Sequence, residues 1–454
     1  MTLCARANAA RLWTLLGCLA CVTAVLHWAN LLYLAHYFAC SLPRLTCPGL
    51  TSPWITRDTG SYRIVEGDIA HLGFLHASYL YRTPGFPLML GAARLVFGDE
   101  TLLLWFVPLL AAVGCMAAGW LAFAFTRRRR AALVAGLLFL AWPNAYALTP
   151  LLITDAAHGY LALIAFALTL AWIRTSRTLF GWLAGALWMA TQSIRPTFFP
   201  LPLLLPILLW RRGPSRSAAR VSLGIWLAST AVPTFIIASN GVQHGLAVVS
   251  ILEPETLACY AIPRMQEELG LGNARDLRET VWNRYRSIED VPERAATERR
   301  EAWAFIGAHT REALVSFRNE LTEQLLTPMH PPNLKPLMGA PGRSWLVLHG
   351  PIALFWFSAA LGWILLAMRE PRIALFMSAV FIAVMGPATT SHWVGDRLRF
   401  PLDLLFIPLA VVFIDWGCVT IGHAAERLAP AHRQGRSGNV SDRMQRRECV
   451  PSRC

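Results

Sequence analysis

Apolar residues come in runs of about twenty along most of the chain, separated by short polar breaks. A run of that length, wound as a helix, crosses the roughly 30 Å hydrocarbon core of a bilayer. Read in order, the runs predict ten spans: residues 12–38, 101–126, 131–148, 156–173, two short spans sharing 179–210, then 221–239, 346–367, 373–390 and 401–421. The stretch 179–210 counts twice because both its ends are basic, with Arg174 and Arg177 before it and Arg211, Arg212, Arg216 and Arg220 after it. Both ends then belong on the cytoplasmic side, with a recessed turn at Arg195-Pro196. The expected fold class is an all-α polytopic membrane protein.

Two polar stretches interrupt this pattern. In the first, 39–100, Tyr62, Val65, Ile69, Leu72, Leu75 and Tyr79 recur at steps of three or four, the spacing of one helix face. That predicts a helix lying in the membrane interface, followed by a rigid turn, Arg82-Thr83-Pro84-Gly85-Phe86-Pro87. The second, 240–345, is a helical loop region with 14 acidic and 12 basic residues, too acidic for the cytoplasmic side. Its second helix is expected to present Trp303, Ile306, Leu314, Phe317 and Leu321 on one face. The domain plan is therefore a membrane part over 1–239 containing the outer loop 39–100, an exoplasmic helical region over 240–345, three further spans over 346–421 and a disordered basic cytoplasmic tail over 422–454.

Composition agrees: 55% of the residues are hydrophobic, 15% are charged and the mean hydropathy is +0.44, against about a quarter charged in soluble domains. The net charge of +14 does not point to nucleic acid. The basic residues cluster between apolar runs, as in Arg127-Arg128-Arg129-Arg130, which marks cytoplasmic loops. The first run is too long for a signal peptide and has no small-residue cleavage site before the polar loop, so it reads as a retained anchor. The ten cysteines show no metal-ligand spacing. Cys40 and Cys47 share the first outer loop, where a disulfide is feasible in an oxidising compartment. His71, His76 and His392 are isolated, and no metal is expected.

This topology collects Asp58, Arg82, Asp155, Arg195, Arg397 and Arg399 at the outer face from loops far apart in sequence. Ionisable groups at a membrane boundary tend to face cavities or partners. A carboxylate serves as a base, and arginine offers a planar fork matched to phosphate oxygens. Each group also has a structural reading. Asp58 and Asp155 suit helix caps, Arg195 a snorkelling helix end, and Arg397 and Arg399 have Asp396 and Asp403 as neighbouring anions.

Asp58 with Tyr62, then RTPGFP, LLITDA, SIRPTFFPLPLLL and DRLRFPLDLLFIPLA occur in that order. In this the chain resembles the lipid-linked-sugar-dependent glycosyltransferases of the GT-C class, in particular the bacterial branch related to protein mannosyltransferases and aminoarabinose transferases. The resemblance covers residues 1 to about 420. It implies inverting transfer of a sugar from a polyprenyl phosphate, on the periplasmic face of the bacterial inner membrane. It implies Asp58 as the catalytic aspartate and Asp155 as the second acidic residue. Tyr62, Arg82, Arg195 and Arg397 or Arg399 are implied as substrate contacts, and no cofactor as required. The chain departs from that pattern at Glu66-Gly67-Asp68, where an acidic pair replaces an apolar turn, so Asp58, Glu66 and Asp68 are an alternative divalent-cation set. Acceptor recognition is expected to fall to the 240–345 loop. Neither the sugar nor the acceptor is legible. The rival functions are a transporter or flippase of a lipid-linked substrate, which requires matched broken helices or an internal repeat, and a non-catalytic scaffold. For the scaffold, replacing Asp58, Asp155 and Arg195 together would change little.

Overall fold

The computed structural model describes residues 3–41, 57–198, 216–326, 341–389 and 399–428, which form helices joined by turns, with no strand among them. In chain order these are α1 (Leu3–Ser41), α2 (Arg57–Leu72), α3 (Gly85–Phe97), α4 (Val107–Thr126), α5 (Arg129–Leu140), α6 (Pro143–Leu148), α7 (Thr154–Thr175), α8 (Thr178–Ile194) and α9 (Arg216–His244). There follow α10 (Leu252–Thr256), a π turn (Leu257–Ala261), α11 (Ile262–Glu268), α12 (Ala274–Arg286), α13 (Val291–Ala308), α14 (Thr310–Leu326), α15 (Pro341–Arg369), α16 (Pro371–Thr389) and α17 (Phe400–Leu428).

Six segments are long and apolar enough to cross a membrane: Ala10–Tyr33, Glu100–Thr126, Thr154–Thr175, Ala219–His244, Gly350–Arg369 and Phe400–Ile421. The expectation of ten spans is not met among the described residues. The predicted span 131–148 is two helices of 12 and 6 residues, because Pro143 cannot continue α5 and starts α6 instead. The apolar part of α16, Pro371–Gly386, and the 17-residue α8 are shorter than the spanning helices. Most of the predicted partner of α8, together with Cys47, Arg397 and the basic tail beyond Leu428, lies outside the described residues; the first residues of the expected tail, 422–428, continue α17 as helix.

Small residues let the central helices approach closely. Ala111, Ala118, Ala122, Ala135, Ala162 and Ala165 are buried where α4, α5 and α7 pack, and Phe139, Tyr160, Trp356, Phe400 and Phe406 fill the wider gaps. The basic clusters sit together at one end of the bundle and are partly neutralised there. Arg130 and Arg128 meet Asp415 of α17 at 2.7 and 3.4 Å, and Arg174 at the end of α7 meets Glu370 at 2.7 Å. Asp155, in the first turn of α7, stands 19 residues from Arg174. At 1.5 Å per residue that is roughly 29 Å, one hydrocarbon thickness.

The two amphipathic expectations are corrected in register. The interfacial helix stops at Leu72 because Gly73 takes φ +81°, a left-handed stop that glycine adopts without strain. Tyr62, Val65 and Tyr79 are buried, but Leu72 and Leu75 are exposed and the stripe is not continuous. The turn after Arg82 is shorter than expected, since Gly85 already begins α3. In the second polar region the chain breaks at His309, between α13 and α14. Ile306 and Leu321 pack against cores as expected, but Trp303, Leu314 and Phe317 are exposed, while Ala295, Glu298, Ala302, Ser316, Glu320 and Gln324 face inward.

Candidate active site

The start of α2 is seated on the loop before α7: Thr59 donates its hydroxyl to the Leu152 carbonyl at 2.8 Å. One turn on, the Tyr62 hydroxyl meets the Thr154 hydroxyl at 3.1 Å, and its ring packs edge-on against Phe86 at 4.9 Å. Asp58 lies in the first turn of α2, but its carboxylate is turned to a guanidinium. Arg82 Nη2 donates to Asp58 Oδ1 at 2.7 Å, Arg82 Nε donates to Ser61 Oγ at 2.8 Å, and the guanidinium lies 4.8 Å from the Tyr62 ring centroid. Ser61, Tyr62 and Asp58 thus aim Arg82 from three directions. Both charged groups of the pair keep partial access to water, at 16% and 26% exposure.

The second pair is drier. Asp155 is 1% exposed and accepts from Arg195 Nη1 at 2.6 Å; Arg195 itself is 21% exposed at the end of α8. The fully buried His158, one turn along α7, lies beside both charges. The two pairs are held to each other through their neighbours. Tyr62 bonds Thr154, adjacent to Asp155, and Thr83, adjacent to Arg82, donates to the carbonyl of Ile194, adjacent to Arg195, at 2.8 Å. Gly85 makes this approach possible: a Cβ there would come within 2.6 and 2.7 Å of the Ser193 backbone. Leu152, Leu161, Ile194, Tyr62, Phe86 and Leu90 pack as one buried cluster beneath. Asp58, Tyr62, Arg82, Asp155 and Arg195 are therefore brought together from four separate segments.

Arg399 is placed differently. Expected to contact substrate, it is fully buried, with Nε donating to Asp403 Oδ1 at 2.9 Å. Asp403 Oδ2 also accepts from Asn144 at 2.6 Å and from Trp142 at 3.2 Å. This pair ties the start of α17 to α6. Arg397 lies outside the described residues. Glu66 is turned from Asp58 to Arg94, at 3.0 Å, and Arg94 and Arg63 both engage the buried Glu100. Burial holds the Glu66 carboxyl above its ordinary value. Asp58 and Glu66 thus take different guanidinium partners, and no group of three His, Cys, Asp or Glu able to hold a metal occurs among the described residues.

Sequence reasoning assigned no residue of the second polar region to the site, yet its helices are docked beside it. The Ile251 N–H donates to the Leu80 carbonyl at 2.9 Å, and Leu80, Ile251 and Ala295 share a small core. Arg294 Nη2 donates to the Tyr81 hydroxyl at 2.8 Å. Burial raises the Glu255 carboxyl above its ordinary value, against the opposing pull of Arg294, Arg286, Arg82 and Arg278. Burial also raises the Tyr260 hydroxyl; Arg278 opposes that, and Glu255, Cys259 and Asp58 add to it. The legible signal was the spacing of Arg278, Trp282 and Arg286, one turn apart on one face of α12.

Glu298 provides a test of this docking. Burial first, and then the neighbouring Glu255, push its carboxyl up to about 7 against the opposing charge of Arg294. The folded chain therefore holds this proton more tightly than the unfolded chain, whose glutamate titrates near 4.5. The stabilisation is full below the unfolded value and is lost as pH rises through about 7. Glu298→Gln is expected to raise the melting temperature at pH 8 by about a few degrees and to change it little at pH 4, as thermal unfolding in detergent across that range will show.

No protein family's profile matches the chain, and no curated protein matches it. Among solved structures, the archaeal oligosaccharyltransferase AglB from Archaeoglobus fulgidus, in complex with an inhibitory peptide and a dolichol-phosphate, is similar to it at 12% identity with a TM-score of 0.43. The match covers 89% of this chain and 52% of the archaeal one, so the chain spans about half the length of that protein.

Proposed function

We propose that the protein is an integral membrane glycosyltransferase of the GT-C type, moving a sugar from a polyprenyl-phosphate donor to an acceptor on the exoplasmic face of a bacterial inner membrane. The observation that carries this reading is the cross-braced double pair. A partly water-accessible carboxylate and guanidinium, Asp58 with Arg82, sit beside a dry pair, Asp155 with Arg195, at the membrane end opposite the basic clusters. The resemblance of the Asp58, RTPGFP and LLITDA segments to GT-C enzymes supports the same reading.

The chemistry follows from the charges. The donor phosphate takes hydrogen bonds from Arg82 and from the exposed edge of Arg195, which loosens the grip of Arg82 on Asp58. Asp58 then accepts the proton of the acceptor hydroxyl or amine as its oxygen or nitrogen attacks the anomeric carbon. The bond from that carbon to the phosphate oxygen breaks on the opposite face, and the electron pair leaves with polyprenyl phosphate, so the anomeric configuration inverts. Asp155 fixes Arg195, and Tyr62 sets the plane of Arg82. No cofactor enters this scheme.

Membranes containing the chain, incubated with a panel of labelled polyprenyl-phosphate sugars, are expected to pass label from at least one donor to an acceptor and release polyprenyl phosphate. Movement of intact donor across the bilayer without cleavage would establish a flippase instead.

A further inference from the structure

The helices docked beside the site carry three arginines that have no carboxylate in ion-pair contact among the described residues. Two are braced on aromatic rings instead, and the third on a tyrosine hydroxyl. Arg278 lies 4.0 Å from the Tyr260 ring centroid and 4.9 Å from that of Trp282, and its Nη2 donates to the Tyr260 hydroxyl at 2.7 Å. Arg286 lies 4.7 Å from the Trp282 ring, and Arg294 is tied to Tyr81, the residue before Arg82. Their neighbours behave differently: Arg264, Arg284 and Arg299 are neutralised by Glu267, Glu301 and Glu253. Tyr260 belongs to the π turn Leu257–Ala261, a one-turn irregularity that re-aims side chains and recurs at functional sites. A guanidinium stacked on a ring keeps its outward donors, and being already ordered it loses little freedom when it binds an oxyanion.

We propose that Arg278, Arg286 and Arg294, with Arg82 at their edge, form a second anion subsite that receives a phosphate or carboxylate borne by the acceptor as it arrives from the aqueous side. The term acceptor rests on the transferase reading; the anion site does not. Glu255 stands among these four arginines as an internal counter-ion, half-buried and without a side-chain hydrogen bond among the described residues. An arriving anion takes over that role.

The test uses the full-length protein in lipid nanodiscs. Arginines are modified with phenylglyoxal and mapped by mass spectrometry, with inorganic pyrophosphate as the probe and the exposed Arg300 as internal control. Pyrophosphate is expected to slow modification of Arg278 and Arg294 by about threefold or more without protecting Arg300. The protection is expected to persist when polyprenyl phosphate occupies the bilayer, and in Asp58→Asn. Glu255→Gln, which removes the competing carboxylate, is expected to lower the half-protecting concentration about threefold. Equal modification with and without pyrophosphate overturns the proposal, as does protection by polyprenyl phosphate alone, which assigns these arginines to the donor. Failure of the transferase reading appears separately, in the labelled-donor assay.

Discussion

Asp58→Asn is expected to lower sugar transfer by about a thousandfold or more, near the upper part of the range for losing a positioned general base, while folding and membrane insertion stay intact. The amide is isosteric and still offers an oxygen to Arg82 Nη2, so the anchors that place α2, Thr59 on Leu152 and Tyr62 on Thr154, are untouched. What it lacks is the capacity to take a proton. The measurement is initial transfer rate against melting temperature in the same detergent preparation, with donor binding followed in parallel. A normal rate would remove Asp58 as base and leave a helical membrane protein with a well-ordered ion pair. Arg82 separates binding from chemistry: Arg82→Gln removes a phosphate ligand and the restraint on Asp58, so it is expected to raise KM for the donor as well as lower kcat.

How much of this was legible depended on which physical rule governed each stretch. Hydrophobic run length located most of the helices, because apolar surface in lipid tolerates only helical backbone. It failed at 131–148, where one proline sets where the helix stops within a largely apolar run of eighteen residues. Charge at the loop ends placed Asp58, Arg82, Asp155 and Arg195 at one end of the bundle, and all four meet there. Their pairing was not legible. Which carboxylate takes which guanidinium depends on the hydroxyls of Thr59, Ser61, Thr83 and Thr154, and short polar side chains leave no periodic trace. The inward face of α13 and α14 was misread for a related reason. Its buried residues are small or polar, Ala295, Glu298, Ala302 and Ser316, while Trp303, Leu314 and Phe317 of the apolar stripe point outward. Near a membrane, burial and hydrophobicity no longer coincide, so a hydrophobic face is weak evidence for a packed one.

The dry pair yields the second large effect, and an asymmetric one. Arg195→Met leaves Asp155, 1% exposed, with its charge but without its guanidinium, a loss of about 3–5 kcal/mol for a broken buried pair. The variant is expected to melt far below the parent in detergent. Asp155→Asn leaves Arg195 charged, but that side chain is 21% exposed and turns toward water, so its melting temperature falls much less. In the double variant, Asp155→Asn with Arg195→Met, no unpaired charge is left inside, and most of the stability is expected to return. Activity is expected not to follow. If Arg195 grips the donor phosphate, all three variants stay slow, and the double variant is folded but inactive. Recovery of both stability and transfer in the double variant would reduce the pair to a brace between α7 and α8, and the phosphate would have to be held by Arg82 alone.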